Sequence, residues 1–261
     1  MTANADLSVV RDGAVLRLRI ERPQKHNALS RQVLAELKAC LQQHAGDRSL
    51  ACAVITGAGS RYFAAGGDLR DLAAVRSEAD TRGMAQEARA ALDAVRAFPV
   101  PVVAALNGDA IGGGAELAVA CDFRVMSGSA SVGFVHGRLK ITSAWGGGPD
   151  LVTLVGPARA LYMTTTCTLV SAQTALAWGL ADAVAGDAAL EDTVQGFIEP
   201  MLRQSPFALR ACKAQARAFR CGLPWGERVA MEEANFVATW THPDHWAAVD
   251  NLLRPGGAAS T

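Results

Sequence analysis

Apolar and polar residues alternate along Val9 to Asp12 and again along Val15 to Glu21, on either side of Asp12-Gly13. That pattern predicts a β-hairpin, ended by Arg22-Pro23. After Ser30, a candidate N-cap, the spacing of Val33, Leu34, Leu37 and Leu41 predicts a helix reaching Gly46. Ala51 to Thr56 reads as a short buried strand stopped by Gly57. Helical spacing returns over Asp68 to Val75 and over Thr81 to Phe98, where Pro99 and Pro101 end it. Val102 to Leu106 predicts a strand, Glu116 to Cys121 a helix and Phe123 to Met126 a strand. Strands alternating with helices predict an α/β fold. Beyond Pro149 the pattern is mostly helical, with starts at Ser171, Ser205-Pro206 and Pro224 and a stop at Gly179. Amphipathic helices without intervening strands cannot extend a sheet. The chain therefore divides into a core over residues 1–200 and a helical region over 201–261, which covers the core or packs on another subunit. The tail Pro255 to Thr261 is expected to fray.

Composition narrows what such a chain can do. Lys+Arg and Asp+Glu both total 25 among 261 residues, so no net basic field is available for nucleic acid or an anionic membrane surface. An anionic ligand must be held locally. The N-terminus lacks a basic-then-apolar signal pattern, and Pro, Gly or charge breaks every apolar run well before the ~20 residues of a membrane span. A cytoplasmic protein is expected. The six cysteines (Cys40, Cys52, Cys121, Cys167, Cys212 and Cys221) form no CxxC pair and read as reduced core thiols. His242-Pro243-Asp244-His245 has the look of a metal pair, but its proline forbids a regular helical face, and a solvated helix start is expected instead. Gly57-Ala58-Gly59 lacks the third glycine of a dinucleotide fingerprint, because Tyr62 stands in its place. No metal is expected.

The chemistry concentrates in two glycine-rich turns, Phe63-Ala64-Ala65-Gly66-Gly67-Asp68 and Ile111-Gly112-Gly113-Gly114-Ala115-Glu116. Each lies between a strand-like and a helix-like run, where backbone N–H groups can be aimed at one oxygen. Two such turns converging would form an oxyanion hole for a carbonyl that gains negative charge during reaction. Asp68 is a candidate helix cap. Three successive glycines are costly, so either a backbone must approach a ligand or a helix and strand must pack unusually closely. Glu116 is placed for acid–base work, or equally as a first-turn carboxylate favoured by the helix dipole.

Taken together, Arg22-Pro23-Gln24-Lys25-His26-Asn27-Ala28-Leu29, Phe63 to Leu69, Ile111 to Asp122 and Trp145-Gly146-Gly147 resemble, in order and spacing, the enoyl-CoA hydratase/isomerase (crotonase) family. The resemblance runs from about Val9 to His242. It implies a crotonase-like spiral of ββα units, a helical C-terminal trimerisation region giving a homotrimer or dimer of trimers, and acyl-CoA substrates. It also implies coenzyme A as part of the substrate, with no permanently bound cofactor. By position the oxyanion amides would be those of Gly67 and Gly113. Lys25, His26 and Ala28 resemble the CoA-contacting loop, with Ala65, Asp68 and Leu69 beside the first glycine turn.

One departure redirects the expected chemistry. Hydratases of the family carry a second glutamate some ten residues before the later Gly-Gly, and here that position falls on Phe134-Val135-His136. Glu116 matches the first glutamate and His136 replaces the second. The stretch most resembles the branch that includes ethylmalonyl-CoA decarboxylase, which implies loss of CO2 from a small alkylmalonyl-CoA. In that reading Glu116 or His136 returns one proton to carbon and Trp145 walls an acyl pocket that also draws on Leu72, Val75, Met84 and Phe134. Lys140 stands where relatives usually have glycine. Hydration of a 2-enoyl-CoA, or a related isomerisation, is the alternative. A nonenzymatic RNA-binding or scaffold role is another, although the stretch from Arg76 to Arg96 mixes both charge signs and offers no basic stripe.

Overall fold

The computed structural model describes residues 6–186 and 189–254, so the tail expected to fray lies outside the described residues. In chain order the elements are β1 (Leu7–Asp12), β2 (Val15–Ile20), α1 (Arg31–His44), β3 (Cys52–Gly57), β4 (Tyr62–Ala64), α2 (Glu78–Ala97), β5 (Val102–Leu106) and β6 (Asp109–Ile111). There follow α3 (Gly113–Ala120), β7 (Phe123–Ser127), β8 (Ser131–Gly133), α4 (Gly147–Val155), α5 (Pro157–Thr166), β9 (Val170–Ser171) and α6 (Ala172–Trp178). The chain ends in β10 (Ala183–Ala185), α7 (Leu190–Leu202), α8 (Pro206–Arg220), α9 (Trp225–Trp240) and α10 (Pro243–Leu253).

Two sheets organise these elements, a six-stranded one in the order β1-β2-β3-β5-β7-β10 and a four-stranded one in the order β4-β6-β8-β9. β1 and β2 form the antiparallel hairpin, and the larger sheet is parallel from β2 onward. Three successive units, β3-β4-α2, β5-β6-α3 and β7-β8-α4, each lay one strand in the large sheet, one in the small sheet and then a helix. The chain thus winds as a spiral of ββα units, the α/β fold expected.

Parallel strands covered on both faces read as unbroken apolar runs, and β3 illustrates why. Its Ala53 and Ile55 enter the main core with Val33, Leu37 and Leu92, while Cys52 and Val54 face the other way into a second cluster. That second cluster is closed by Val194 and Ile198 of α7, lying against Val103, Ala105 and Val125. Burial pushes the Cys52 thiol up to about 11 and the Cys121 thiol up to about 12, so neither is ionised near neutrality. All six cysteines are free, although Cys212 and Cys221 are exposed and do not belong to the core.

Several expectations are corrected. Residues 69–74 form consecutive turns, not a helix: Leu69 faces solvent at 61% exposure, which leaves the segment too little buried apolar face to hold a helix. α2 begins earlier than expected because Ser77 caps it, its Oγ accepting from Asp80 N at 3.1 Å. α3 begins at Gly113, taking two of the three glycines into the helix. The region beyond Pro149 is not strand-free, since β10 pairs in parallel with β7 and β9 pairs antiparallel to β8. Pro149 itself lies within the first turn of α4, where a missing N–H costs no intrahelical bond. The starts at Ser171, Ser205 and Pro224 and the stop at Gly179 (φ 74°) agree with the expected positions.

The C-terminal helices attach unequally. α8 is latched to the core by the buried Lys213 pairing with Asp122, which also accepts from Val102 N at 2.8 Å. Arg220 adds bonds to the last carbonyls of α3, Val119 O at 2.6 Å and Ala120 O at 2.9 Å. α9 and α10, by contrast, contain no buried residue. No described helix is long and apolar enough to cross a membrane.

Candidate active site

The two glycine turns meet because the strands before them are neighbours. β4 and β6 run parallel, pairing Tyr62 with Asp109 and Ala64 with Ala110, so both turns leave the small sheet at the same end. Gly66 (φ 97°) and Gly112 (φ 56°, ψ −122°) adopt backbone conformations that side chains disfavour. A Cβ placed on Gly66 would lie 3.6 Å from Gly113 N, and one on Gly112 would lie 3.8 Å from Gly66 Cα. Among the described residues, the N–H groups of Gly67 and Gly113 have no protein acceptor, and that of Gly113 is the first of its helix.

The glycine triplet serves three separate needs. Gly112 turns the chain. At Gly113 a Cβ would lie 2.2 Å from Cζ3 of Trp145, and at Gly114 it would lie 2.0 Å from Ala64 O. The first position therefore yields to the indole and the second to the close packing of α3 on the end of β4. Trp145 also reaches the first turn, its Cη2 lying 3.5 Å from the Cβ position of Gly67.

Glu116, in the first turn of α3, is only 1% exposed and its carboxylate is held from two sides. Oε1 accepts from Trp145 N at 2.9 Å and Gly147 N at 3.1 Å, at the N-terminus of α4, and Oε2 contacts His136 Nε2 at 3.1 Å. The carboxylate thus sits at the positive end of two helices. An ionised carboxylate can only accept, so in that form of Glu116 the His136 Nε2–H is the donor of this contact. His136 extends from a 3-10 turn over Val135–Leu139 that is closed by Lys140 at φ 61°. Glycine adopts such a left-handed angle freely, and here a lysine carries it. Arg96 fixes the opposite side, its Nη2 donating to Trp145 O at 3.1 Å while its guanidinium pairs with Asp150 at 2.8 Å. Arg220 of α8 meets the same Asp150, also at 2.8 Å.

The loop over Lys25 to Leu29 is joined to the first glycine turn by main-chain bonds. Ala65 N donates to His26 O at 3.1 Å, Leu29 N to Gly66 O at 2.8 Å and Asp68 N to Leu29 O at 3.0 Å. Lys25 and His26 are exposed on this loop, Ala28 is half-buried and the His26 ring lies 4.7 Å from that of Tyr62. Asn27, fully buried and at φ 54°, shapes the loop by donating to Ala58 O and Tyr62 O at 2.9 and 2.7 Å. Buried Arg22 completes the tie, reaching Ala28 O at 2.5 Å and Asp68 Oδ2 at 2.8 Å.

Not every candidate side chain faces the site. The Asp68 carboxylate is taken up by Arg22 and by the N–H groups of Arg70 and Asp71, so it builds the turn instead of meeting a ligand. Leu69 is exposed, and its neighbour Leu72 is the residue that approaches Gly67. Leu72 and Met84 line a cavity with Trp145, whereas Val75 and Phe134 do not. Phe134 is fully buried beside the His136 ring, 5.9 Å between centroids. Sequence reasoning missed Arg22 and Asn27 as site builders, although both lie in the motif it singled out. It also missed Arg96 and Asp150, which no local pattern marks. His242 caps α10 as a helix start, and among the described residues no cluster of side chains could hold a metal ion.

The arrangement has close counterparts. The family model described as enoyl-CoA hydratase/isomerase matches residues 11–249. Carnitinyl-CoA dehydratase of Escherichia coli K12 is 34% identical over 207 residues, covering 79% of this chain and 78% of that protein. The enoyl-CoA isomerase/hydratase fer4 of Mycosarcoma maydis is 35% identical, covering 76% and 75%. The solved enoyl-CoA hydratase of Bacillus anthracis superposes with a TM-score of 0.89 at 30% identity over 95% of each chain. The chain belongs to the enoyl-CoA hydratase/isomerase family, enzymes acting on CoA thioesters.

The Arg22–Asp68 tie has a pH signature. Burial opposes ionisation of Asp68, but the hydrogen bond from Arg22 and those from the Asp71 and Arg70 amides outweigh it, and the carboxyl titrates below its ordinary value. The stability it contributes is present in full above the unfolded value of about 3.9 and is lost as pH falls through the lower folded value. Asp68→Asn is expected to cost about 2 kcal/mol at pH 7, and the deficit relative to wild type should shrink on acidification below pH ~4 in thermal unfolding.

Proposed function

We propose that this protein decarboxylates a small alkylmalonyl-CoA. The thioester carbonyl would sit between the N–H groups of Gly67 and Gly113, with the Lys25–Leu29 loop contacting the CoA moiety. The observation that carries this reading is the 3.1 Å contact between His136 Nε2 and Glu116 Oε2, at the position where the family resemblance implies a second glutamate. Hydration needs one group to activate water and another to protonate carbon. Here the Glu116 carboxylate is already engaged by Trp145 N, Gly147 N and His136 Nε2, and the histidine is bound to that same carboxylate. Decarboxylation asks for less. The bond from the α-carbon to the carboxylate breaks, CO2 leaves, and the electron pair passes into an enolate whose oxygen the two amides stabilise by about 3 kcal/mol each. The Glu116–His136 pair then delivers one proton to the α-carbon and regains it from water.

Hydration of a 2-enoyl-CoA, with its reverse, dehydration of a 3-hydroxyacyl-CoA, or a related isomerisation is the second reading, favoured by the names of the relatives at 34–35% identity. The two are separated by measuring CO2 release from methylmalonyl-CoA and ethylmalonyl-CoA beside hydration of crotonyl-CoA. CO2 release is expected, falling about tenfold or more in Glu116→Gln with little change in KM. Vigorous hydration without CO2 would overturn the reading.

The protein is further proposed to assemble as a homotrimer or a dimer of trimers through the helical region beyond residue 200. Supporting this, α9 and α10 leave Trp225 (73% exposed), Phe236, Trp240, Trp246 and Leu253 uncovered, while the core separately exposes Ile141, Leu161 and Tyr162. Two different apolar surfaces suit a head-to-tail contact that closes into a ring. Light scattering should give three or six times the 27.2 kDa chain mass, and a monomer at micromolar concentration would refute it.

A further inference from the structure

Trp145 touches both glycines whose amides are free and at the same time walls a cavity on the flank of the site. The cavity, of about 150 Å³, lies between α1 and α2 and is lined by Leu29, Leu34, Leu72, Met84 and Ala88 together with the indole. A space of this size holds a benzene-sized group. Its outer rim carries Arg31 and Glu87, which pair through two bonds of 2.8 Å. Both are about half exposed, so the pair is screened and offers a chain end an outlet to water at little cost. The indole is itself held from both ends of its residue, Trp145 N bonding Glu116 and Trp145 O bonding Arg96. It is only 7% exposed, and its ring stands between the donor glycines and the apolar space.

We propose that Trp145 sets acyl-chain length: the indole closes a path from the Gly67 and Gly113 amides into the α1–α2 cavity and confines the enzyme to short aliphatic acyl groups. With the ring removed, the cavity becomes the continuation of the acyl site and takes an unbranched alkyl tail. This assignment rests on the reading of Gly67 and Gly113 as the thioester site, and the test separates the two. Binding of butyryl-CoA and octanoyl-CoA, saturated thioesters with no carboxylate to lose, is measured by titration calorimetry on the full chain.

Wild type is expected to prefer butyryl-CoA. In Trp145→Ala the octanoyl-to-butyryl affinity ratio should rise tenfold or more, against an ideal of about fourfold for each of the methylenes newly buried. Trp145→Leu, which keeps an apolar side chain against Gly113, carries the same test with a smaller rise if the alanine variant does not fold. A folded variant with an unchanged ratio would overturn the chain-length role while leaving the thioester site standing. Failure of wild type to bind either thioester would remove the site reading and this proposal with it.

Discussion

A buried carboxylate is the constraint around which this molecule is arranged. Taking an ionised side chain out of water costs several kcal/mol unless its oxygens find donors. Glu116 finds three, from two elements distant in sequence. Meeting them requires α4 to approach α3 so closely that a Cβ on Gly147 would lie 2.4 Å from Glu116 Cγ. It also requires the chain to reverse at Gly146 with φ 89°, beside the Arg96 guanidinium. The pocket wall follows from the same reversal, since the residue that donates to Oε1 is Trp145, whose indole then covers the glycine turns.

The glycines of the site are explained as much by what packs against them as by ligand approach. Gly114 yields to a backbone carbonyl, Gly113 to an aromatic ring and Gly147 to a glutamate stem, while Gly66, Gly112 and Gly146 are demanded by φ. Of the alternatives left open for the triplet by sequence alone, close packing applies at Gly113 and Gly114, while Gly112 is demanded by its φ. The amide of Gly113 is free of protein acceptors because it opens a helix, and the absence of a side chain there is what admits the indole.

How much of this was legible in the sequence depended on length and locality. The hairpin declared itself through alternation, α1 through helical spacing, β3 and β5 through short unbroken apolar runs, and the glycine turns through their flanks. The strands of the small sheet are two or three residues long, too short for any period, and β10 is hidden among helices for the same reason. Asp68 to Val75 carried a helical pattern that tertiary structure did not use, because Asp68 is engaged by Arg22 and Leu69 is exposed. Glu116 and His136 were legible as site residues through motif position. Their direct contact was not, since it depends on the pairing of β6 with β8, which brings the segments after both strands together. Arg96, which steadies the Trp145 turn from α2, leaves no mark in any local pattern.

The central claim is that two main-chain amides, those of Gly67 and Gly113, grip one thioester carbonyl beside the Glu116–His136 pair. A crystal structure of the protein with butyryl-CoA bound tests it most directly. The account predicts the carbonyl oxygen about 3 Å from both nitrogens, with the α-carbon facing the Glu116–His136 pair. A carbonyl bound elsewhere, or held by neither amide, would contradict it.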